Sequence, residues 1–195
     1  MAVTVPFVPL EIPAELCSTI GAPPGTLPGE CLNKVIVDVG DDSVSAPKGE
    51  DAAPLREVVT EAKQKGIDLK IVVLPVSPPI EAPLRDVASE VGHAYPGSTV
   101  LVLSPGRAGT YSRNFDRVTL ESGEDVAKEP GGYVHGARSF VNELAKPEFP
   151  WTLLTILIVL GVAIGVVLTR ALQGRARRAA AKPGEPPAAA SDAAT

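Results

Sequence analysis

The sequence predicts an α/β domain, a small three-layer and mostly parallel sheet with flanking helices, followed by one transmembrane helix. Three observations carry that expectation. Two short segments, IDLKIVVLP, which starts in alternation and finishes as a continuous apolar run, and STVLVLS, have the length of strands covered on both faces. Between and after them, apolar residues recur at i, i+3, i+4 and i+7, the stripe of a helix that packs on a sheet. Near the end, Trp151 to Thr169 runs without a charge between Glu148 and Arg170.

Residues 1–33 are rich in proline and glycine and lack periodicity, so they read as an irregular lead-in. The α/β domain is expected over 34–147. Its first segment, KVIVDVG at 34–40, is β-branched and short, as a strand would be. Asp41, Asp42 and SAPKGE then suit a loop. In DAAPLREVVTEAKQKG the stripe is Leu55, Val58, Val59 and Ala62, with Pro54 near the start and Gly66 at the stop, so a helix follows. IDLKIVVLP comes next as a central strand. The proline-dense loop PVSPPIEAP leads into LRDVASEVG, where Leu84, Val87, Ala88 and Val91 mark a second helix and Gly92 ends it.

After the strand STVLVLS at 98–104, PGRAGTYSRNFD reads as a loop, and RVTLESG at 117–123 alternates like a half-buried edge strand. HGARSFVNELAK closes the domain with a helix marked by Ala137, Phe140, Val141 and Leu144. Helical stripes alternating with buried strands predict right-handed parallel crossovers.

At a rise of about 1.5 Å per residue, the uncharged run from Trp151 spans roughly the 30 Å of a bilayer's hydrocarbon core. The membrane segment is expected over 149–169. A soluble core helix would keep a polar stripe, and only Thr152, Thr155 and Thr169 interrupt this one. The tail, 170–195, is basic and then Ala/Pro-rich, and is expected to be disordered.

Charge supplies an orientation. Of 18 Lys/Arg and 23 Asp/Glu, five and two follow Thr169, leaving 13 and 21 ahead of the span. Arg170, Arg175, Arg177, Arg178 and Lys182 sit just beyond it, and basic residues so placed stay on the cytoplasmic side. The tail is therefore expected inside and the domain outside. The N-terminus, MAVTVPFVPLEIPAEL, lacks the basic start and long apolar core of a secretory signal, so the anchor itself would direct translocation. The acidic domain has no basic stripe and few aromatics, which argues against nucleic acid.

Cys17 and Cys31 are the two cysteines. A disulfide between them would stabilise the fold by about 3 kcal/mol and would need an oxidising compartment; the alternative is two free thiols.

The strings DDSVSAP, GIDLKIVVL, LRDVASEVG, YPGSTVLVLSP, GTYS-NFDRVTLE-G and FPWT resemble a family of small, mycobacterial-type actinobacterial single-pass membrane proteins, over roughly residues 35–170. That family has no established activity, so the resemblance implies a location and a fold. The lead-in with both cysteines lies outside the matching span. In order of elements alone, the chain is similar to the TPM domain of photosystem-repair and membrane-accessory proteins. TPM relatives are associated with maintenance of membrane complexes, and some are reported as phosphatases or calcium binders.

Ligands of open α/β sheets sit beyond the carboxyl ends of the strands, here expected near 38–45, 75–83 and 104–116. The third stretch offers Ser104, Arg107, Tyr111, Ser112, Arg113 and Asp116 on a Gly-rich backbone, a set able to hold an anion or carboxylate. Its bland reading is a surface loop whose glycines make turns. Neither G-x-x-x-x-G-K-S/T nor G-x-G-x-x-G occurs. Asp38, Asp41 and Asp42, with Glu50 and Asp51, could converge on a hard cation, although solvated loop acids are the plainer reading. His93 and His135 have no partner at ligand spacing. Gly161 and Gly165 form a small-xxx-small pair that would let two membrane helices approach.

These features point to a membrane-anchored, non-enzymatic module that binds an envelope or membrane protein, or a second copy, without a cofactor. The alternative is a TPM-like weak phosphatase or metal-dependent hydrolase using the Asp38–Asp42 acids.

Overall fold

A computed structural model describes residues 11–50, 52–146 and 151–180. Asp51, the FP of the FPWT string, Lys182 and the rest of the tail beyond Ala180 lie outside the described residues. The chain divides into two compact units, Met1–Lys146 and Pro147–Thr195.

The first unit contains α1 (Leu16–Thr19), α2 (Pro28–Asp42), β1 (Val44–Ser45), α3 (Ala53–Gln64), β2 (Leu69–Val73), α4 (Ala82–Ala94), β3 (Thr99–Ser104), β4 (Arg107–Tyr111), α5 (Arg117–Ala127) and α6 (Gly132–Leu144). The sheet has the order β1-β2-β3-β4. The first three strands are parallel, with Ile71 opposite both Val44 and Leu101, and β4 returns antiparallel to β3.

Alternate residues of the central strands feed two cores. Leu69, Ile71, Val73, Leu101 and Leu103 pack under α3, α5 and α6 around Phe140. Val72, Leu74, Val100 and Val102 pack under α1, α2 and α4. This is the expected three-layer, mostly parallel arrangement. The expectation of uniformly right-handed crossovers fails. Successive strands step in one direction while α3 and α4 cover opposite faces, so the two crossovers have opposite hands.

The segments expected as helices in α3, α4 and α6 and as strands in β2 and β3 form those elements. Two expected strands are helices instead. KVIVDVG belongs to α2, whose buried stripe, Cys31, Leu32, Val35 and Val39, leaves Val37 exposed. That stripe outweighs the β preference of valine and isoleucine. Pro28 opens the helix, so the lead-in boundary at 33 falls inside it, and Ser43 closes it in the left-handed region at φ 70°.

RVTLESG belongs to α5, where Leu120, Gly123, Glu124 and Ala127 form the buried face and Val118 is exposed. The stretch expected as the 104–116 loop is largely β4, joined to β3 by a Pro105-Gly106 turn with Gly106 at φ 69°. Small residues make this strand fit. A Cβ on Gly109 would come within 2.6 Å of the Leu84 carbonyl carbon, so α4 rests its backbone on β4.

The second unit contains α7 (Trp151–Ala180). Residues Leu154–Arg175 have a mean hydropathy of 2.4, enough by length and composition to cross a membrane. The helix continues past Thr169 to Ala180, so the first part of the tail is helical rather than disordered.

Candidate functional site

The residues expected to bind a ligand in the 104–116 stretch are distributed along β4 rather than gathered at one point. Ser104 is buried beside the turn, within 3.1 Å of the Ser77 hydroxyl, and Arg107 begins β4 across from it. Tyr111 ends the strand four residues later, roughly 14 Å away at a strand's rise. There Arg113 Nε donates to the Tyr111 hydroxyl at 3.1 Å, and the Tyr111 ring meets His93 edge-on at 5.3 Å. Ser112 shares a hydrogen bond of 3.0 Å with Thr99. Asp116 caps α5, accepting from the Thr119 backbone N–H at 2.8 Å, and that bond holds its carboxyl below the usual range.

A different set of residues surrounds the carboxyl end of β3. A cleft of 370 Å³ there is lined mainly by Leu103, Pro105, Ala127, Pro130 and Tyr133. The connection from β2 to α4 is tied to the turn by Ser77, whose hydroxyl lies 2.5 Å from Pro105 O, and to the end of α5 by a 3.2 Å pair between Glu81 and Lys128. On this tied connection Val76 and Ile80 are each 55% exposed. Lys128 also lies 3.6 Å from Asp125. Tyr133 donates its hydroxyl to Leu74 O at 3.2 Å; burial, and secondarily the charge of Glu50, raise its pKa. The cleft therefore offers apolar contact and a paired cation. Sequence reasoning pointed to the 75–83 stretch without singling out Val76 and Ile80, whose large apolar side chains in the proline-dense PVSPPIEAP loop were the available signal, and it missed Tyr133.

The acids proposed for a cation divide. Asp42 is held by Arg56, with Nε to Oδ2 at 2.6 Å, and its other oxygen accepts from the Val44 N–H at 3.1 Å. Asp38 and Asp41 stay exposed on α2, bordering a 550 Å³ depression shared with Lys34 and Lys48. Among the described residues no group of three His, Cys, Asp or Glu is placed to hold a metal ion.

Cys17 and Cys31 are joined as a disulfide with their Cα atoms 5.0 Å apart, which ties α1 to α2. On α7, Gly161 and Gly165 lie one turn apart, a Cβ added at either would meet nothing within 4 Å beyond its own helix backbone, and Gly165 O accepts from the Thr169 hydroxyl at 2.7 Å. Large apolar residues from Leu154 to Leu172 are exposed along this helix. Its surface fits a lipid environment.

Comparison with known proteins agrees with that architecture. No solved structure matches the chain. The chain is 44% identical over 190 residues to the Mycobacterium tuberculosis (strain ATCC 25618 / H37Rv) protein described as "Membrane protein Rv1476", covering 97% of this chain and 93% of that protein. The family model described as "Membrane protein Rv1476" matches residues 11–183, which take in both the α/β domain and the apolar helix. The chain accordingly belongs to the Rv1476 membrane protein family.

Proposed function

We propose that this membrane protein is a non-enzymatic accessory module, tethered by α7, that captures a membrane or envelope protein at the carboxyl-end cleft. The observation that carries the proposal is the exposure of Val76 and Ile80 on a connection fixed at both ends beside a mainly apolar cleft. Exposed apolar residues on a pre-formed rim gain from being covered and require little ordering.

Several of the groups that could perform chemistry are engaged elsewhere. Asp42 is paired with Arg56, Asp116 caps α5, Lys128 is paired with Glu81, and Glu124 is buried against Arg85. The TPM-like hydrolase reading therefore loses Asp42, one of its three proposed acids. Orientation belongs to the same proposal: the domain lies outside and the end of α7 lies in the cytoplasm. Support comes from the arginines after the apolar span and from a disulfide suited to an oxidising compartment.

Val76→Asp with Ile80→Asp should remove a co-purifying partner from solubilised membranes while leaving the domain's melting temperature unchanged. Gly161→Ile with Gly165→Ile tests the anchor's share: reduced recovery of a partner or second copy at equal expression would give α7 a contact face. Partner recovery indifferent to both pairs would overturn the assignment. Ser122→Cys, labelled in intact cells by a membrane-impermeant thiol reagent, tests the orientation, and protection there would reverse it.

A further inference from the structure

β4 is the outer strand of the sheet, with β3 on one side and, among the described residues, no strand on the other. α4 lies against one of its faces and α5 against the other. Arg85, from the first turn of α4, reaches around this edge to α5, placing Nη2 3.1 Å from Glu124 Oε2. Glu124 Oε1 accepts from the Thr110 hydroxyl at 2.6 Å, and the Glu124 side chain is 1% exposed. This pair and its hydrogen bonds fix the Arg85 guanidinium. They also protect the edge from pairing with another strand.

One donor of that fixed guanidinium is unused. Arg85 Nε is buried and has no hydrogen-bond partner among the described residues. Arg85 as a residue lines a 240 Å³ pocket together with Ser89, one turn along α4, and with Ser112, Phe115, Arg117 and Leu120. Glu121 stands beside this pocket with Oε1 2.8 Å from Arg117 Nε and 4.0 Å from Arg85 Nη2. Half of its side chain is exposed, and its contact with Arg85 is long. It is a loosely held carboxylate between two arginines.

We propose that the pocket binds a carboxylate ligand, which pairs with the Arg85 and Arg117 guanidiniums and displaces Glu121 from between them. Ser89 and Ser112 supply hydroxyls near the same space, while Phe115 and Leu120 fit a short aliphatic body. Charge selects the class. Exchanging Glu121 for another carboxylate keeps the local balance, whereas a phosphomonoester would set roughly two negative charges near the fixed Glu124. Planar guanidinium forks also match a planar carboxylate. The carboxylate can belong to a small free acid or to the C-terminus of a peptide.

The test follows the arginine side-chain Nε–H resonances of the full chain in detergent micelles, with Arg117→Gln assigning one of them. Propionate, titrated against chloride at fixed ionic strength, should shift the Arg85 and Arg117 signals saturably. Glu121→Gln should tighten propionate binding by up to about fivefold, the range of a half-exposed ion pair, and Arg117→Gln should weaken it while the Arg85–Glu124 pair stays in place. Inorganic phosphate should do no more than chloride. A tripeptide that outbinds propionate only when its C-terminus is free would assign the site to chain ends; propionate at least equal to it would assign small acids. Shifts that follow ionic strength alone, phosphate binding as tight as propionate, or indifference to Glu121→Gln would overturn the proposal.

Discussion

Val87 and Val91 on α4 are fully buried, whereas Val159 and Val166 on α7 are 61% and 54% exposed. The side chains are the same, and their spacing differs. On α4 the valines share a stripe with Leu84 and Ala88, while Arg85, Asp86 and Glu90 occupy the remaining surface. α7 is apolar around its whole circumference through the span, so no single protein face could cover it. The α4 stripe finds its solvent in the sheet, and α7 must find one in lipid. Substitutions that open a cavity should therefore act only in the domain, and those that insert a charge should act most strongly in the anchor.

Phe140→Ala should have the largest effect. The ring is fully buried at the centre of the core under α3, α5 and α6, and its loss should lower domain stability by about 3–5 kcal/mol in denaturant unfolding. Leu157→Ala on α7 should leave the same transition in place. Replacing both cysteines, Cys17→Ser with Cys31→Ser, should cost about 3 kcal/mol by freeing the loop they close, again without changing membrane insertion. Equal transitions under oxidising and reducing conditions would remove that contribution.

The reverse substitution sharpens the contrast. Val162→Arg, near the middle of the span, should make insertion about 2.5–3.5 kcal/mol less favourable, read as the membrane-integrated fraction. Val118→Arg in the domain, at a position already 74% exposed, should have little effect on either stability or insertion.

The smallest effect is a pH dependence at Tyr133. Its folded pKa is raised above the ordinary 10.0, first by burial and then by Glu50, so folding favours the neutral phenol. That contribution is complete below the ordinary value and is lost as pH rises through the folded value. Tyr133→Phe should make alkaline unfolding less steep in that range, measured by circular dichroism of the full chain in detergent. An unchanged profile would remove Tyr133 as its cause.

The same contrast explains what was legible from residues alone. α3, α4 and α6 declare themselves because aliphatic residues occupy nearly every position of their stripes, and α7 because no polar stripe exists. α2 is obscured by its β-branched run, and its stripe extends back past the Pro-Gly at 28–29. α5 is harder, because Gly123 and Glu124 occupy its buried face. Glu124 belongs there only because Arg85, 39 residues earlier in sequence, meets it across β4. β4 resembles a loop because Ala108 and Gly109 are small, and at Gly109 that smallness serves the close approach of α4. In the candidate site, Ser104 and the turn after it were visible as residue types, while the exposed Val76 and Ile80 gain their meaning from Ser77 and Glu81 tying the connection down.

The central claim is that the tied and exposed apolar rim formed by Val76 and Ile80, rather than the domain's covered faces, meets a partner. It is tested most directly by placing a photoreactive crosslinking residue at Ile80 and, separately, at the exposed Lys63 on α3, then irradiating intact membranes. The account predicts a discrete higher-mass adduct from Ile80 that disappears with Val76→Asp, and none from Lys63. No adduct at Ile80, or the same adduct from both positions, would contradict it.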